Sequence, residues 1–320
     1  MPVQERLLAG IDLGGTNIRV ALSPLARPRE RRVWQSIETP PGMSPEAFLE
    51  RVSAEISAGL ATLAAPPEAL CGIGCVAPGI TDGEKGVIQY ATNLGWRDVP
   101  LAAMLAERFG LPAVVENDVN AAALAEYTCG TGQQAHSLVY LTVSTGVAVG
   151  IVVEGRLWRG AHHAAGEIGY FLPEPRHIGQ DWGENGCLEM TAGGIGLARA
   201  WARHRGGNGV AAEAVEVFNR ARDGHPEAVA LVRRAANYLA QAVVAIGALI
   251  DPEIVVLGGS IAQNEPALVA RIREVVSMTL PHPMPVLHSN LGGDAPMLGA
   301  LILAARHVAT PVSDAAGTDA

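Results

Sequence analysis

Short apolar runs alternate along the chain with longer amphipathic stretches, and this pattern predicts an α/β protein. Apolar runs that end in glycine, proline or asparagine turns are typical of buried strands, whereas stretches with helical periodicity predict helices. The predicted strands are 7–13, 18–22, 32–38, 71–76, 113–116, 138–143, 147–153, 156–159, 254–257 and 285–289. The predicted helices are 45–63, 99–109, 120–128, 187–204, 211–222, 226–250, 265–279 and 296–307.

Two parts of the chain open alike. Residues 8–22 and 138–152 each read as two strands around a tip of small and hydroxyl residues. Such internal similarity is typical of two related lobes. We therefore expect a smaller N-terminal α/β lobe over residues 1–120, joined by a C-terminal helix at 296–309, and a larger lobe over 121–295. Residues 310–320 are expected to form a flexible tail.

Composition is that of a globular protein with a well-formed core. The chain has 320 residues, of which 49% are hydrophobic and 17% charged, a length that fits about two domains. With 23 basic and 32 acidic residues the net charge is −9, so neither nucleic acid nor an anionic membrane surface is expected as a partner. The single lysine, Lys85, precedes Gly86, which excludes a Walker A phosphate loop.

No targeting or membrane segment is expected. The first apolar run already contains Asp12, and the longest largely apolar stretch, 138–153, is broken by hydroxyl residues and glycines. The four cysteines are too few for a disulfide framework in a chain of this length. A cytoplasmic location is therefore expected.

The tips of the two predicted hairpins are candidate phosphate-binding elements. Glycines in Asp12–Asn17 would allow the backbone to approach a phosphate, Thr16 adds a hydroxyl donor, and Asp12 is suited to hold Mg²⁺ through water. A plain tight hairpin would use the same glycines. The matching tip Ser144–Gly146 favours phosphate binding, because two facing hairpins could clamp a triphosphate. The pair Gly258–Gly259 follows a buried strand and is a third point of close backbone approach.

An acidic turn supplies a candidate general base. Glu116, Asn117 and Asp118 lie between a short predicted strand and a predicted helix. Asp118 at that position is suited to accept a proton from a substrate hydroxyl, and Asn117 is suited to bind a polyol. The structural alternative is that Asp118 caps the helix.

Eight short motifs follow one another in the order found in the ROK family (repressors, open reading frames and sugar kinases), which belongs to the actin/hexokinase-like ATPases. The resemblance covers the chain from about Leu8 to Ala305 and is specific because of the order. The motifs are D-L-G-G-T-N at 12–17, Pro78-Gly79, T-N-L-G-W at 92–96, E-N-D-V-N-A-A at 116–122, V-S-T-G at 143–146, A-G-E-I-G at 165–169, G-C-L-E at 186–189 and D-P-E-I-V-V-L-G-G at 251–259.

This resemblance implies a two-lobed α/β, ribonuclease H-like fold with a central cleft and a homodimeric, ATP- and Mg²⁺-dependent hexose kinase. Such a kinase transfers the γ-phosphoryl group to a sugar hydroxyl, usually O6 of glucose or a close relative, with Asp118 as the base. The implied nucleotide-binding residues are Asp12, Gly14, Gly15, Thr16, Asn17, Thr145, Gly146, Gly258 and Gly259. The implied sugar-binding residues are Gly79, Asn93, Asn117, Asp118, Glu167, Tyr170 and Glu189.

The sequence departs from the family at its zinc-binding motif. Tyr170 stands where most members have a zinc-binding histidine, and Gln180, Trp182 and Cys187 stand at the three cysteine positions. One thiolate cannot form a four-coordinate site, so we expect no structural zinc and no other bound metal at this motif. Metal analysis that found one tightly held zinc per chain would contradict this expectation.

Tyr170 leaves two interpretations open. A phenol in place of the histidine would bind the anomeric end of the sugar differently, so that a β-glucoside or an N-acetylated hexosamine becomes an alternative substrate. The other interpretation, which is compatible with the first, is that Tyr170 and Trp182 fill the space of the zinc and keep the loop before Glu189 ordered.

A catalytically inactive sugar-binding protein is a further alternative, and polyphosphate is not excluded as the donor. A transcription regulator is not expected, since Asp12 already belongs to the core and leaves no room before it for a helix-turn-helix.

Overall fold

The computed structural model describes residues 5–181, 186–206 and 213–309. The chain divides into two compact units. The first unit contains the described residues up to Ala125 and those from Asp294 onward, and the second contains those from Glu126 to Gly293.

The first unit is built on a five-stranded mixed sheet. The strands of the unit as a whole are β1 (Leu7–Leu13), β2 (Asn17–Pro24), β3 (Val33–Glu38), β4 (Leu70–Ala77), β5 (Ile80–Asp82), β6 (Val87–Ala91), β7 (Trp96–Val99) and β8 (Ala113–Asn117). The order of the main sheet is β3-β2-β1-β4-β8. Strands β1 to β3 are antiparallel neighbours, whereas β4 and β8 run parallel to β1. Strands β5 to β7 form a separate antiparallel sheet.

Three helices and the C-terminal helix complete this part of the chain. They are α1 (Pro45–Thr62), α2 (Leu101–Phe109), α3 (Asp118–Cys129) and the C-terminal helix (Ala295–Ala309), with single 3₁₀ turns at Pro67–Ala69 and Gly292–Asp294. Ser44 caps α1 as its sequence predicts, since its hydroxyl accepts the Ala47 N–H at 3.2 Å. The C-terminal helix packs on β1 and β4 through Met297 and Leu301, which lie at the closest approach to Gly10.

The second unit repeats the same sheet pattern. Its strands are β9 (Ser137–Val143), β10 (Val147–Val153), β11 (Arg156–Leu157), β12 (Ile254–Gly258) and β13 (Val286–His288). Its helices are α4 (Leu188–Ala192), α5 (Gly194–His204), α6 (Ala214–Arg222), α7 (Pro226–Ile250), α8 (Ser260–Asn264) and α9 (Pro266–Thr279), with 3₁₀ turns at Ile168–Tyr170 and Pro175–His177. The strand order is β11-β10-β9-β12-β13.

The two hairpins that are similar in sequence also hold equivalent positions in their sheets. Hairpins β1-β2 and β9-β10 are antiparallel and hold the same place in the two sheets, each followed by two strands parallel to its first strand. The register closes at Leu13 and Ile18 in the first hairpin and at Val143 and Val147 in the second. The internal similarity of the two halves is therefore confirmed at the level of sheet topology.

One described helix is long and apolar enough to cross a bilayer by length and composition. This helix is α7, and half of the qualifying stretch is buried. Its side chains Leu231, Leu239 and Val243 belong to the core of the second unit, where α7 packs against α4, α6 and α9. Burial of this kind is typical of a core helix.

Three sequence-based assignments are wrong in detail. The sheet β5-β6-β7 is not predicted, because its strands are short and alternate irregularly between buried and exposed positions. The predicted helix 187–204 is two helices that break at Gly193, which has an extended backbone. Helix α3 begins at Asp118, two residues earlier than the pattern indicates. The predicted start of α6 at 211 lies outside the described residues.

Candidate active site

Several predicted site residues of the first unit follow the carboxyl ends of parallel strands. Strands β1, β4 and β8 run in the same direction and end at one edge of the sheet, where ligands bind in α/β proteins. The tip Gly14–Asn17 follows β1, Gly79 follows β4, and Asp118 follows β8. Asn93 joins them, since its Cβ lies 3.7 Å from the point that a Cβ on Gly15 would occupy. The structure thus brings these residues to the same sheet edge.

Asn117 holds the turn between β8 and α3. Its Oδ1 accepts the backbone N–H groups of Val119 and Asn120, each at 2.9 Å, and its Nδ2 donates to the carbonyl oxygen of Gly79 at 2.9 Å. The cap of α3 is therefore Asn117, and Asp118 is the first helical residue. One Nδ2 hydrogen of Asn117 remains for a ligand.

A buried carboxylate lies on the other side of this turn. Glu116 is fully buried, and its Oε1 accepts the Asn117 backbone N–H at 3.0 Å and the Asn120 side-chain amide at 3.1 Å. Asp118 itself is half-buried, and its Oδ1 accepts the Val119 N–H at 2.9 Å. Since both neighbours of Asp118 are fixed by hydrogen bonds, the position of its carboxylate is set by the turn.

Gly79 contributes through its backbone. Its φ of +94° favours glycine, and a Cβ there would lie 2.2 Å from the carbonyl oxygen of Tyr90. No side chain fits at this position. The Pro78-Gly79 motif therefore places a carbonyl that receives Asn117 rather than a side chain that reaches a ligand.

Asp12, the candidate magnesium ligand, is buried and paired. Asp12 on β1 and Arg19 on β2 face each other across the ladder between these strands, and the Arg19 guanidinium forms an ion pair with Asp12 Oδ2. Burial raises the pKa of the Asp12 carboxyl, and the positive charge of Arg19 opposes this rise. A carboxylate at this edge is suited to a hard cation, but Mg²⁺ would share it with Arg19.

In the second unit, the tip of β9-β10 forms hydrogen bonds with the first residues of two helices, α5 and α8. The carbonyl oxygens of Ser144 and Thr145 accept the N–H groups of Gly194 and Ile195, at 2.8 and 3.0 Å. The Ser144 hydroxyl lies 3.0 Å from the hydroxyl of Ser260, the first residue of α8. The first N–H groups of α5 are thus used by the hairpin and are not available to a phosphate.

Glu167 and Glu189 form a carboxylate pair in the second unit. Glu189 is in the first turn of α4, and its Oε2 accepts the Val147 N–H at 3.1 Å, which connects it to the β9-β10 hairpin. Burial raises the pKa of Glu167, and the negative charge of Glu189 raises it further. Two nearby acceptors of this kind are suited to bind adjacent hydroxyl groups.

Tyr170 lies at the end of the 3₁₀ turn Ile168–Tyr170. Its N–H donates to the Glu167 carbonyl oxygen at 3.1 Å, and 46% of the residue is exposed. Trp182 lies outside the described residues, so its predicted packing against Tyr170 stays a prediction.

At the former zinc motif, Gln180 Oε1 lies 3.2 Å from His177 Nδ1, and Gln180 Nε2 donates to the Arg176 carbonyl oxygen at 3.0 Å. Cys187 is buried. Within the described ranges no group of three or more His, Cys, Asp or Glu residues is placed to hold a metal. The expected absence of zinc stays a prediction, because part of the motif is not described.

A cavity of about 1090 Å³ opens beside the tip of β9-β10. Its walls are the hairpin tip, α5, α6, α8 and the turn into α9. The lining residues are Ser144, Thr145, Gly194, Ile195, Ala198, Arg199, Ala202, Arg203, Glu213, Ala214, Val215, Phe218, Asn219, Arg222, Ser260, Ile261, Asn264 and Glu265. Among the predicted nucleotide-binding residues of this unit, Thr145 is part of the lining, whereas Gly146, Gly258 and Gly259 are not.

The two glycines at the end of β12, Gly258 within the strand and Gly259 directly after it, are required by packing on β9. A Cβ on Gly258 would lie 2.0 Å from the Tyr140 hydroxyl, and one on Gly259 would lie 2.4 Å from the Val143 carbonyl oxygen. Gly259 also has a φ of +85° and a ψ of 156°, a conformation that only glycine adopts readily. These glycines thus shape the corner from which α8 starts.

The walls of this cavity that α5 and α6 form were not predicted from the sequence. The glycine-rich Gly193–Gly196 ahead of an amphipathic helix was the available signal, because such a start allows close approach of a neighbouring loop. On α6, the apolar positions have the same spacing as core positions, so the sequence alone does not distinguish cavity lining from packing.

The chain belongs to the ROK family, whose family model matches residues 8–307. A glucokinase of Halalkalibacterium halodurans is 31% identical over 85% of this chain and 86% of its own. An N-acetylmannosamine kinase of Escherichia coli O9:H4 is 33% identical over 92% of this chain and 97% of its own.

A solved structure of a ROK family glucokinase from Streptomyces griseus, in complex with glucose and AMPPNP, superposes with a TM-score of 0.77. It is 28% identical and covers 94% of this chain and 99% of that one. The predicted α/β fold of the actin/hexokinase-like class is thereby confirmed.

Proposed function

We propose that this protein is an ATP-dependent sugar kinase that transfers the γ-phosphoryl group of ATP to a hexose hydroxyl, most directly O6 of glucose or a close relative. The observation that carries the proposal is the arrangement of Asp118, Asn117 and Asn93 at the same sheet edge as the glycine-rich tip Gly14–Asn17. The similarity to glucokinases and N-acetylmannosamine kinases over most of the chain supports it.

Asp118 serves as the general base in this proposal. Its carboxylate takes the proton of the attacking sugar hydroxyl, whose oxygen forms a bond to the γ-phosphorus as the bond to ADP breaks. Asn117 and Glu116 position the base, since their hydrogen bonds fix the turn on both sides of Asp118. The base then acts from the start of a helix whose cap is already satisfied.

The cavity beside Thr145 fits a nucleotide. Its volume of about 1090 Å³ is at the upper end of small-molecule sites, and its lining combines apolar side chains with Arg199 and Arg203. We assign the backbone of Gly14, Gly15 and Thr16 and that of Thr145 and Gly146 to the phosphates. Asp12 is the residue suited to hold Mg²⁺, which would neutralise phosphate charge when bound. Gly258 and Gly259 serve this site indirectly, by shaping the corner before α8.

The sugar contacts are assigned to Asn93 and the Asn117 amide, and to Glu167, Glu189 and Tyr170. Glucose and N-acetylmannosamine are the acceptors that the names of the relatives indicate. A half-exposed phenol at Tyr170 gives the anomeric end one hydroxyl as a hydrogen-bonding partner, which is the reason to test a β-glucoside and N-acetylated sugars too. The homodimer and the cytoplasmic location remain predictions.

The experiment that tests the proposal measures ADP release by the purified protein with MgATP and single sugars. The panel is glucose, mannose, fructose, N-acetylglucosamine, N-acetylmannosamine and cellobiose. ADP release that depends on one sugar confirms the kinase and names its acceptor. A parallel series with polyphosphate in place of ATP tests the donor. A folded protein that binds ATP and a sugar without releasing ADP would show the catalytically inactive alternative to be correct.

A further inference from the structure

The end of the cavity away from the hairpin carries a hydrogen-bonded charge cluster. Arg222, in the last turn of α6, donates from Nη2 to Glu265 Oε1 and from Nη1 to Asn219 Oδ1, each at 2.6 Å. All three side chains line the cavity. The Glu265 side chain is only 13% exposed, whereas that of Arg222 is 56% exposed. The cluster therefore fixes a largely buried carboxylate at the cavity wall.

The position of Glu265 relative to the hairpin follows from α8. This helix begins at Ser260, whose hydroxyl lies 3.0 Å from that of Ser144 at the hairpin tip, and Glu265 caps its other end. A helical rise of 1.5 Å per residue places Glu265 about 8 Å further from the tip. The walls alongside are apolar, with Ile195, Phe218 and Ile261 among the lining residues. A nucleotide with its phosphates at the hairpin would extend its base toward Glu265.

The hydrogen-bonding groups at this end favour a donor on the ligand. Within the described chain, Glu265 Oε1 is engaged by Arg222, while Oε2 accepts no hydrogen bond. Asn264 donates its Nδ2 to the Ser260 carbonyl oxygen at 2.7 Å, which turns its Oδ1 the other way. An ionised carboxylate only accepts hydrogen bonds. A base that presents an amino group therefore matches this wall, and one that presents a carbonyl oxygen meets a negative charge.

We propose that Glu265, positioned by Arg222, selects nucleotides whose purine carries an amino group at C6, and so favours adenine over a 6-oxopurine. This inference rests on the proposed function, since it takes the cavity to be the nucleotide site. Glu265 is then a specificity-determining residue, and Arg222 is a positioning residue that acts through it.

The substitution Glu265→Gln gives a directional test. Arg222 is a donor, so it holds the carboxamide with Oε1 toward itself and turns Nε2 toward the base. The wall changes from acceptor to donor, while size and shape are kept. The variant should therefore disfavour the amino group of adenine and favour the carbonyl oxygen of hypoxanthine. A general loss of affinity for all nucleotides is the result expected of a merely structural role.

The experiment measures the dissociation constants of ATP, ITP and purine riboside triphosphate, which lacks the amino group, by calorimetry. For the wild-type protein we expect ATP to bind about tenfold more tightly than either analogue. In Glu265→Gln the affinity for ATP should fall about tenfold, that for purine riboside triphosphate should stay constant, and that for ITP should rise. Glu216→Gln is the matched control, since Glu216, which lies on α6 as Arg222 does, pairs with Arg205 at the end of α5 and does not line the cavity.

Each outcome decides the matter. A shift of the ATP-to-ITP ratio in Glu265→Gln, absent in the control, supports the inference. An unchanged ratio in a variant that still phosphorylates its sugar overturns the inference and leaves the proposed function intact. A wild-type preference for ITP over ATP overturns it as well. If neither protein binds any of the three nucleotides, both the inference and the nucleotide donor of the proposed function are wrong.

Discussion

At the scale of single residues, Glu167 is held beside Glu189 in an arrangement that opposes the ionisation of Glu167. Burial and the charge of Glu189 both raise the pKa of Glu167, so the folded protein binds this proton more tightly than the unfolded chain does. Ionised Glu167 therefore lowers the stability of the fold above its raised pKa. Such arrangements are typical of binding sites, where a ligand supplies the missing partners.

The substitution Glu167→Gln tests this point by its pH dependence. The variant should have a higher melting temperature than the wild type at pH 8, because it removes a buried negative charge beside Glu189. As the pH falls through the raised pKa, the wild-type carboxyl takes up its proton and the difference in melting temperature should shrink. Thermal unfolding from pH 8 to pH 5 measures it, and a difference that does not vary with pH would show the assigned cause to be wrong.

Asp12 is also a buried carboxylate, but unlike Glu167 it has a positively charged partner, Arg19. Burial raises the pKa of Asp12, but a cation on the neighbouring strand opposes that rise. Arg19 also lies against the face of Trp34, with the guanidinium carbon 5.5 Å from the ring centroid. The sequence singles out Asp12 as a magnesium ligand, yet only the strand register shows that Arg19 competes for it.

At the scale of elements, the corner between β12 and α8 depends on one glycine. Gly259 combines a positive φ with a backbone oxygen 2.4 Å from the place of a Cβ. The corner matters because α8 carries Ser260 against the hairpin tip and leads to Glu265. A displaced corner would therefore alter both ends of the cavity.

We expect Gly259→Ala to lower the free energy of unfolding by about 3 kcal/mol or more, because strain and overlap act together. Gly224→Ala is the matched control, with a φ of +81° and nothing within 4 Å of its Cβ position, and it should cost about 1 kcal/mol. Urea denaturation of both variants measures the two values. Equal values would mean that the contact with Val143 is unimportant.

The elements that the sequence predicts best are those with a local signal. The two hairpins are predicted because unbroken apolar runs flank tips of glycine and hydroxyl residues, and α1 because Ser44 precedes Pro45. The sheet β5-β6-β7 is not predicted, since strands of three to five residues depend on their neighbours for pairing. The break at Gly193 is missed because the cause is tertiary, namely the carbonyl groups of Ser144 and Thr145.

The candidate site likewise has features that the sequence predicts and features that depend on tertiary contacts. The motif order predicts Asp118, Asn93 and the carboxylates, and the structure brings the residues of each unit together. That Asn117 rather than Asp118 caps α3 depends on side-chain geometry. The role proposed for Glu265 depends on its contact with Arg222 of α6, which lies 43 positions earlier in the sequence.

At the scale of the whole molecule, the chain passes between the two units twice, at Ala125–Glu126 inside α3 and at Gly293–Asp294. Glu126 lies at the first of these crossings and forms hydrogen bonds with residues just before the second, Ser289 and Leu291. It is fully buried, and its carboxylate accepts the Ser289 hydroxyl, the Thr131 N–H at 2.8 Å and the Leu291 N–H at 3.4 Å. Helix α3 thus has Asp118, the proposed base, at its start and a fixed anchor near its end.

Removal of this anchor should destabilise the protein strongly. Glu126→Ala leaves a buried hydroxyl and two backbone N–H groups without their acceptor and opens a cavity, so we expect a loss of about 3 kcal/mol in the free energy of unfolding. Glu274→Ala is the control, because its pair with Arg271 is exposed and should contribute less than about 1 kcal/mol. Urea denaturation compares them, and losses of similar size would refute the assigned role of Glu126.

The central claim is that Asp118 is the base of a sugar-phosphorylating reaction, and the most direct test is the turnover of Asp118→Asn. With MgATP and the accepted sugar, we expect kcat to fall by about 10² to 10⁴, while calorimetry shows the sugar bound with an affinity within about threefold of the wild type. The exposed Asp98, changed to Asn in the same unit, should leave both values unaltered. Near-normal turnover by Asp118→Asn would contradict the account.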